Sequence, residues 1–128
     1  MATILLAEDE KQIADMIAFK LTNSGHLVIR AHDGEQAIKL ARATPPDLIM
    51  LDAMMPGLTG FEVLRQLKSD ATLRSVPVIM VTAKGHERDV LNGLRGGAVD
   101  YVVKPFSLKE LAARVELALE KEVPPTTL

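Results

Sequence analysis

The chain has 128 residues, 48% of them hydrophobic and 25% charged, with a formal net charge of −2. That is room for one domain of ordinary globular composition. The charge gives no general attraction to nucleic acid or to an anionic membrane, although a local basic patch is compatible with it, and the lack of cysteine excludes a disulfide framework, a thiolate metal site and a thiol nucleophile.

The longest apolar runs are too short to span a bilayer. Met1 leads straight into a strand-like segment without room for a signal peptide. A soluble cytoplasmic protein is therefore expected.

In chain order, Ile4-Leu5-Leu6-Ala7 reads as a strand that runs into Glu8-Asp9. Ile13, Ile17 and Leu21 repeat at four-residue spacing, which predicts a helix stopped near Gly25. A second strand is predicted from His26 to Ala31, then Asp33-Gly34 and a helix carrying Ala37, Leu40 and Ala41 that ends at Pro45-Pro46. The third strand, Leu48-Ile49-Met50-Leu51, runs into Asp52. Thr59 and Glu62 have capping-box spacing ahead of Phe61, Leu64 and Leu67. The fourth strand, Val78 to Val81, stops at Thr82. The helix around Glu87 to Arg95 is the weakest of the set, since it carries Asn92 and Gly93 and meets Gly96-Gly97. Tyr101-Val102-Val103 forms the fifth strand and stops at Lys104-Pro105, and Ser107 with Glu110 repeats the capping spacing before Leu111, Val115 and Leu119. Pro124-Pro125-Thr126-Thr127 is the only linker-like composition: a frayed terminus, or the point where a longer chain was cut.

Strands that read as continuous apolar runs belong to a parallel sheet covered on both faces. Five strands alternating with five helices, joined by right-handed crossovers, predict a doubly wound α/β fold. A (β/α) barrel would need about eight such units. If the strand order is 2-1-3-4-5, as in flavodoxin-like sheets, the first and third strands lie about 4.8 Å apart. Glu8-Asp9 then sits beside Asp52, with Thr82 on its other side and Lys104 within reach from the edge.

Taken singly, each of these residues has an ordinary structural role, such as an acidic helix cap or a strand-end hydroxyl. Taken together they suit one reaction. Carboxylates about 4 Å apart repel by roughly 4 kcal/mol per pair at an effective dielectric near 20, and a hard divalent cation such as magnesium, with oxygen ligands, offsets that. Asp52 can then act as a nucleophile toward phosphorus. The cation, Lys104 and Thr82 would neutralise the phosphoryl oxygens.

Glu8-Asp9, Asp52 with Met55-Pro56 and Gly60, Thr82-Ala83 and Lys104-Pro105-Phe106 together resemble the receiver domain of two-component response regulators, over nearly the whole chain from Thr3 to about Glu120. The resemblance implies a flavodoxin-like sheet of order 2-1-3-4-5 and a receiver domain over residues 1–122, with 123–128 a tail or truncated linker. It implies that Asp52 takes a phosphoryl group from a sensor histidine kinase or a histidine phosphotransfer protein. Mg2+ would be held by Asp9, Asp52 and the Met54 carbonyl, with Glu8 acting partly through water. Lys104 and Thr82 would contact the phosphoryl oxygens, and Ala83 would leave the phosphate accessible. A cis bond is expected before Pro105, and Tyr101 is expected to rotate inward on phosphorylation. The chain would be a switch and not an enzyme, promoting only its own phosphorylation and autodephosphorylation. Its helix 4 and strand 5 face would control a downstream partner or attached output, without direct contact with nucleic acid or membrane.

Two departures from the family pattern stand out. Asp100, Glu110 and Arg114 are kept, but Val90, Arg95 and Val99 occupy positions where the common dimer places other charges, so a monomer or weak homodimer is expected. Val90 and Val99 are either an apolar docking surface or core. Met54 and Lys84 flank the phosphate by position and are expected to tune the lifetime of the phosphorylated state. The histidines His26, His32 and His86 are dispersed and do not resemble a metal cluster. Two rival readings on the same chemistry or fold are weaker. A haloacid-dehalogenase-like enzyme normally carries an acid two residues after its nucleophile, where this chain has Met54. A flavin module needs a phosphate-cradling loop where Glu8-Asp9-Glu10 would repel one.

Overall fold

The computed structural model describes residues 1–83 and 87–120. Lys84, His86 and the Pro124–Thr127 segment, all considered above, lie outside them. The elements alternate as β1 (Thr3–Ala7), α1 (Lys11–Asn23), β2 (Leu27–Ala31), α2 (Gly34–Ala43), β3 (Leu48–Asp52), α3 (Gly60–Ser69), β4 (Val78–Ala83), α4 (Glu87–Arg95), β5 (Asp100–Lys104) and α5 (Leu108–Glu120). All four strand pairings are parallel, in the order β2-β1-β3-β4-β5.

Parallel strands point alternate side chains to opposite faces, and helices cover both faces here. In β3, Leu48 and Met50 join a core with Ile17 and Leu21 of α1 and Leu111 and Val115 of α5. Ile49 and Leu51 join the opposite core with Ala37 and Ala41 of α2 and Leu64 and Leu67 of α3. Every β3 residue is buried, Asp52 included, which is why the strand reads as an unbroken apolar run. Val99 packs against the α1/α5 core, so for this residue the core reading holds over the docking surface.

Helix ends follow their sequence signals unevenly. Thr59 and Glu62 form the full reciprocal capping box of α3. At α5 only half of the box forms. Ser107 Oγ accepts the Glu110 N–H at 3.0 Å, but the Glu110 carboxylate turns to Arg114 at 3.2 Å. Arg114 also donates to both carboxylate oxygens of Asp100 in β5, at 2.9 and 3.0 Å. The expected weakness of α4 is offset by packing, because Gly93 lies against Met80 and Phe61, and a Cβ there would come within 3.1 Å of Met80. His26 is structural. Its Nδ1 accepts the Ala2 N–H at 3.2 Å and its Nε2 meets Glu116 of α5 at 2.6 Å.

Candidate phosphoacceptor site

The register delivers the candidate residues to one edge. Ala7 pairs with Leu51, which sets Glu8 beside Asp52 one residue further on. Asp52 pairs with Val81, so Thr82 projects just beyond it, and Ala83 pairs with Lys104. The edge is therefore the carboxyl end of β1, β3, β4 and β5, where doubly wound sheets place their ligands.

Glu8, Asp9 and Asp52 each bring a carboxylate oxygen to within 4.8 Å of the others. Glu8 and Asp52 are buried, at 3% and 4% exposure, while Asp9 is exposed. Asp9 is not a helix cap. The N-cap position of α1 is Glu10, and no side chain caps it. Lys104 Nζ lies 3.1 Å from Glu8 Oε1 and 3.2 Å from Asp52 Oδ2. Asp52 Oδ1 accepts the Met54 N–H at 3.1 Å, and Glu8 Oε2 accepts the Glu10 N–H at 3.1 Å. The buried Thr82 Oγ1 has no hydrogen-bond partner among the described residues, so a hydroxyl stands ready for an acceptor.

The backbone holds Asp52 tightly from below. Gly60 opens α3 against the end of β3, where a Cβ would lie 2.3 Å from the Asp52 carbonyl oxygen. Only glycine lets the helix approach this closely.

Charge is under-compensated here. Burial, reinforced by the neighbouring Asp52, pushes the Glu8 carboxyl up to about 7. For Lys104, burial alone lowers the ammonium, but Asp52 and Glu8 together outweigh it and hold Lys104 above its ordinary value. Oxygen-only donors, a buried carboxylate close to neutral pH and excess negative charge are what a hard divalent cation would relieve. Glu8, Asp9 and Asp52 therefore fit magnesium.

Of the other expected residues, Met54 is exposed at 59% and Ala83 is also open to solvent. Tyr101 is half-buried against the α2/α3 core and lines a cleft of about 330 Å³ with Val103, Lys104, Pro105, Glu110 and Arg114. The Lys104–Pro105 bond is cis. The sequence reading left Glu10 out of the site, yet its Oε1 lies 3.5 Å from Lys104 Nζ.

Residues 4–116 match the response regulator receiver domain, and the chain belongs to that family. A phosphoacceptor role in two-component signalling is general to the family. The chain is 42% identical over 121 residues to the phosphate regulon transcriptional regulatory protein PhoB of Klebsiella pneumoniae, covering 94% of this chain and 53% of that protein. It is 45% identical over 118 residues to the alkaline phosphatase synthesis transcriptional regulatory protein PhoP of Bacillus subtilis, covering 92% and 48%. The chain thus spans about half the length of these curated relatives. Among solved structures, it is similar to the receiver domain of the Francisella response regulator 1452, with a TM-score of 0.87 and 34% identity over 94% of this chain and 98% of that one. Among the described residues no helix is long and apolar enough to cross a membrane.

Proposed function

We propose that Asp52 is the phosphoacceptor of a cytoplasmic signalling switch whose donor is a phosphohistidine on a sensor kinase or phosphotransfer protein. One observation carries this reading: Asp52, buried at the sheet's carboxyl edge, shares a single ammonium with Glu8. An Asp52 oxygen attacks phosphorus, the bond from phosphorus to the donor nitrogen breaks, and the donor imidazole leaves with the electron pair. The product is an acyl phosphate. Asp9, Asp52 and the Met54 carbonyl would hold Mg2+, with Glu8 behind them. When bound, that cation supplies positive charge to the phosphoryl oxygens.

Lys104 supplies a second positive charge from the opposite side. The orphaned Thr82 hydroxyl donates to a phosphoryl oxygen once one is present, and exposed Ala83 leaves the approach open. Phosphorylation adds about −1.5 to −2 charges at Asp52. Thr82 is then drawn toward the phosphate and Tyr101 rotates inward, which couples the site to the α4 and β5 face and so to a downstream protein or attached output. Residues 1–122 form the receiver unit in this reading, acting as a monomer or weak homodimer. The relatives named as transcriptional regulators favour an attached or partner output that controls transcription.

Incubation with acetyl phosphate and magnesium, followed by intact mass measurement, tests the chemistry. The expected result is a gain of one HPO3 that needs magnesium and is lost in Asp52→Asn. An adduct that persists in Asp52→Asn, or none in the unaltered chain, rejects the reading.

A further inference from the structure

Glu10 occupies the N-cap position of α1 but its side chain caps nothing. Its backbone is fixed by the N–H it donates to Glu8, and its carboxylate reaches across to Lys104. An ammonium has three hydrogens, and three carboxylates surround this one: Glu8 at 3.1 Å, Asp52 at 3.2 Å and Glu10 at 3.5 Å. Lys104 donates hydrogen bonds to Asp52 and Glu10, while Glu8 Oε1 lies close but accepts none, so a phosphoryl oxygen arriving at Asp52 competes with all three acids for one ammonium. Glu8 and Asp52 are buried, and each would keep only one backbone N–H on losing the ammonium, which costs a buried carboxylate more than an exposed one. Glu10 has the longest contact and a side chain 61% exposed, so it returns to water readily.

We propose that Glu10 is a positioning residue for phosphorylation of Asp52, holding Lys104 in the resting site until an incoming phosphoryl oxygen displaces it. The inference rests on Asp52 being the phosphoacceptor. Glu10 lies outside the acidic cluster of Glu8, Asp9 and Asp52, so saturating magnesium leaves its competition for Lys104 in place. The contact restrains phosphorylation by small anionic donors, and removing it accelerates the reaction.

The test compares the unaltered chain with Glu10→Gln and Glu10→Asp. The Asp variant keeps the charge but is one methylene too short for the contact, which separates grip on Lys104 from general repulsion of an anionic donor. Phosphorylation by acetyl phosphate is followed by intact mass at magnesium saturating for each protein. Lys104 accessibility is read separately in metal-free protein, by acetic anhydride labelling and peptide mass. Both variants should phosphorylate about two- to fivefold faster, the range an exposed ion pair allows, and both should label faster at Lys104. Equal rates in all three, or an Asp variant that behaves like the unaltered chain while the Gln variant is faster, overturns the assignment. No adduct in the unaltered chain would instead remove the phosphoacceptor reading on which it rests.

Discussion

Lys104 Nζ sits 3.2 Å from Asp52 Oδ2 and 3.1 Å from Glu8 Oε1, so one ammonium bridges two buried acids that β1 and β3 bring side by side. Lys104 comes from the edge strand β5, two strands from Asp52 on the central β3. Its side chain is 19% exposed, which places the pair where water screens it little.

Replacing that ammonium should separate its two contributions. In Lys104→Ala the buried carboxylates lose their cation, and metal-free stability should fall by about 1–3 kcal/mol, read as a lower urea midpoint. Magnesium should restore most of the loss. Phosphorylation by acetyl phosphate should remain slow even with magnesium, by about a hundredfold, the scale for losing one charge-stabilising donor.

The raised Glu8 carboxyl makes a pH prediction with a definite sign. Unfolded Glu8 releases its proton near 4.5, whereas the folded protein retains it to about 7. Between these values the native state binds more protons, so metal-free stability falls as pH rises. The full effect is up to about 3 kcal/mol. Glu8→Gln should flatten this slope and be the more stable protein at pH 8 without metal. Added magnesium should stabilise the unaltered chain more than the variant. Chemical denaturation at several pH values, with and without magnesium, measures all of this, and a rising slope for the metal-free protein would contradict the assignment.

Asp9 is exposed and bonded into no cap, so Asp9→Asn should leave the fold intact. It should weaken magnesium binding by more than about tenfold, since even the partners behind a ligand carry that much. Isothermal titration reads the affinity, and circular dichroism the fold.

Gly60→Ala tests the floor of the site. The added methyl would meet the Asp52 carbonyl oxygen at 2.3 Å and the Ala53 Cα at 2.9 Å, and backbone cannot rotate away as a side chain can. A loss of about 1–3 kcal/mol is expected, together with slower phosphorylation because Asp52 shifts.

Much of this arrangement was legible in the sequence for a physical reason. A parallel sheet covered on both faces writes its strands as unbroken apolar runs, so the residue ending each run marks the ligand edge. Glu8, Asp52, Thr82 and Lys104 all stand at such ends. What depended on tertiary contact was not legible. The Ser107–Glu110 spacing gave no sign that Arg114, itself held by Asp100, would draw the Glu110 carboxylate away. Gly93 looked like a helix breaker until Met80 and Phe61 showed why a side chain is unwelcome there. Glu10 was read only as a charge hostile to phosphate, because the lysine it touches lies 94 residues further along the chain.

The most direct measurement locates the phosphoryl group. Borohydride reduces an aspartyl phosphate to homoserine, so trapping after acetyl phosphate and magnesium, followed by tandem mass spectrometry, reports the modified residue. Conversion confined to position 52 is the predicted result. Conversion at Asp9, at Glu8 or at a residue away from the carboxyl edge of the sheet would contradict the account.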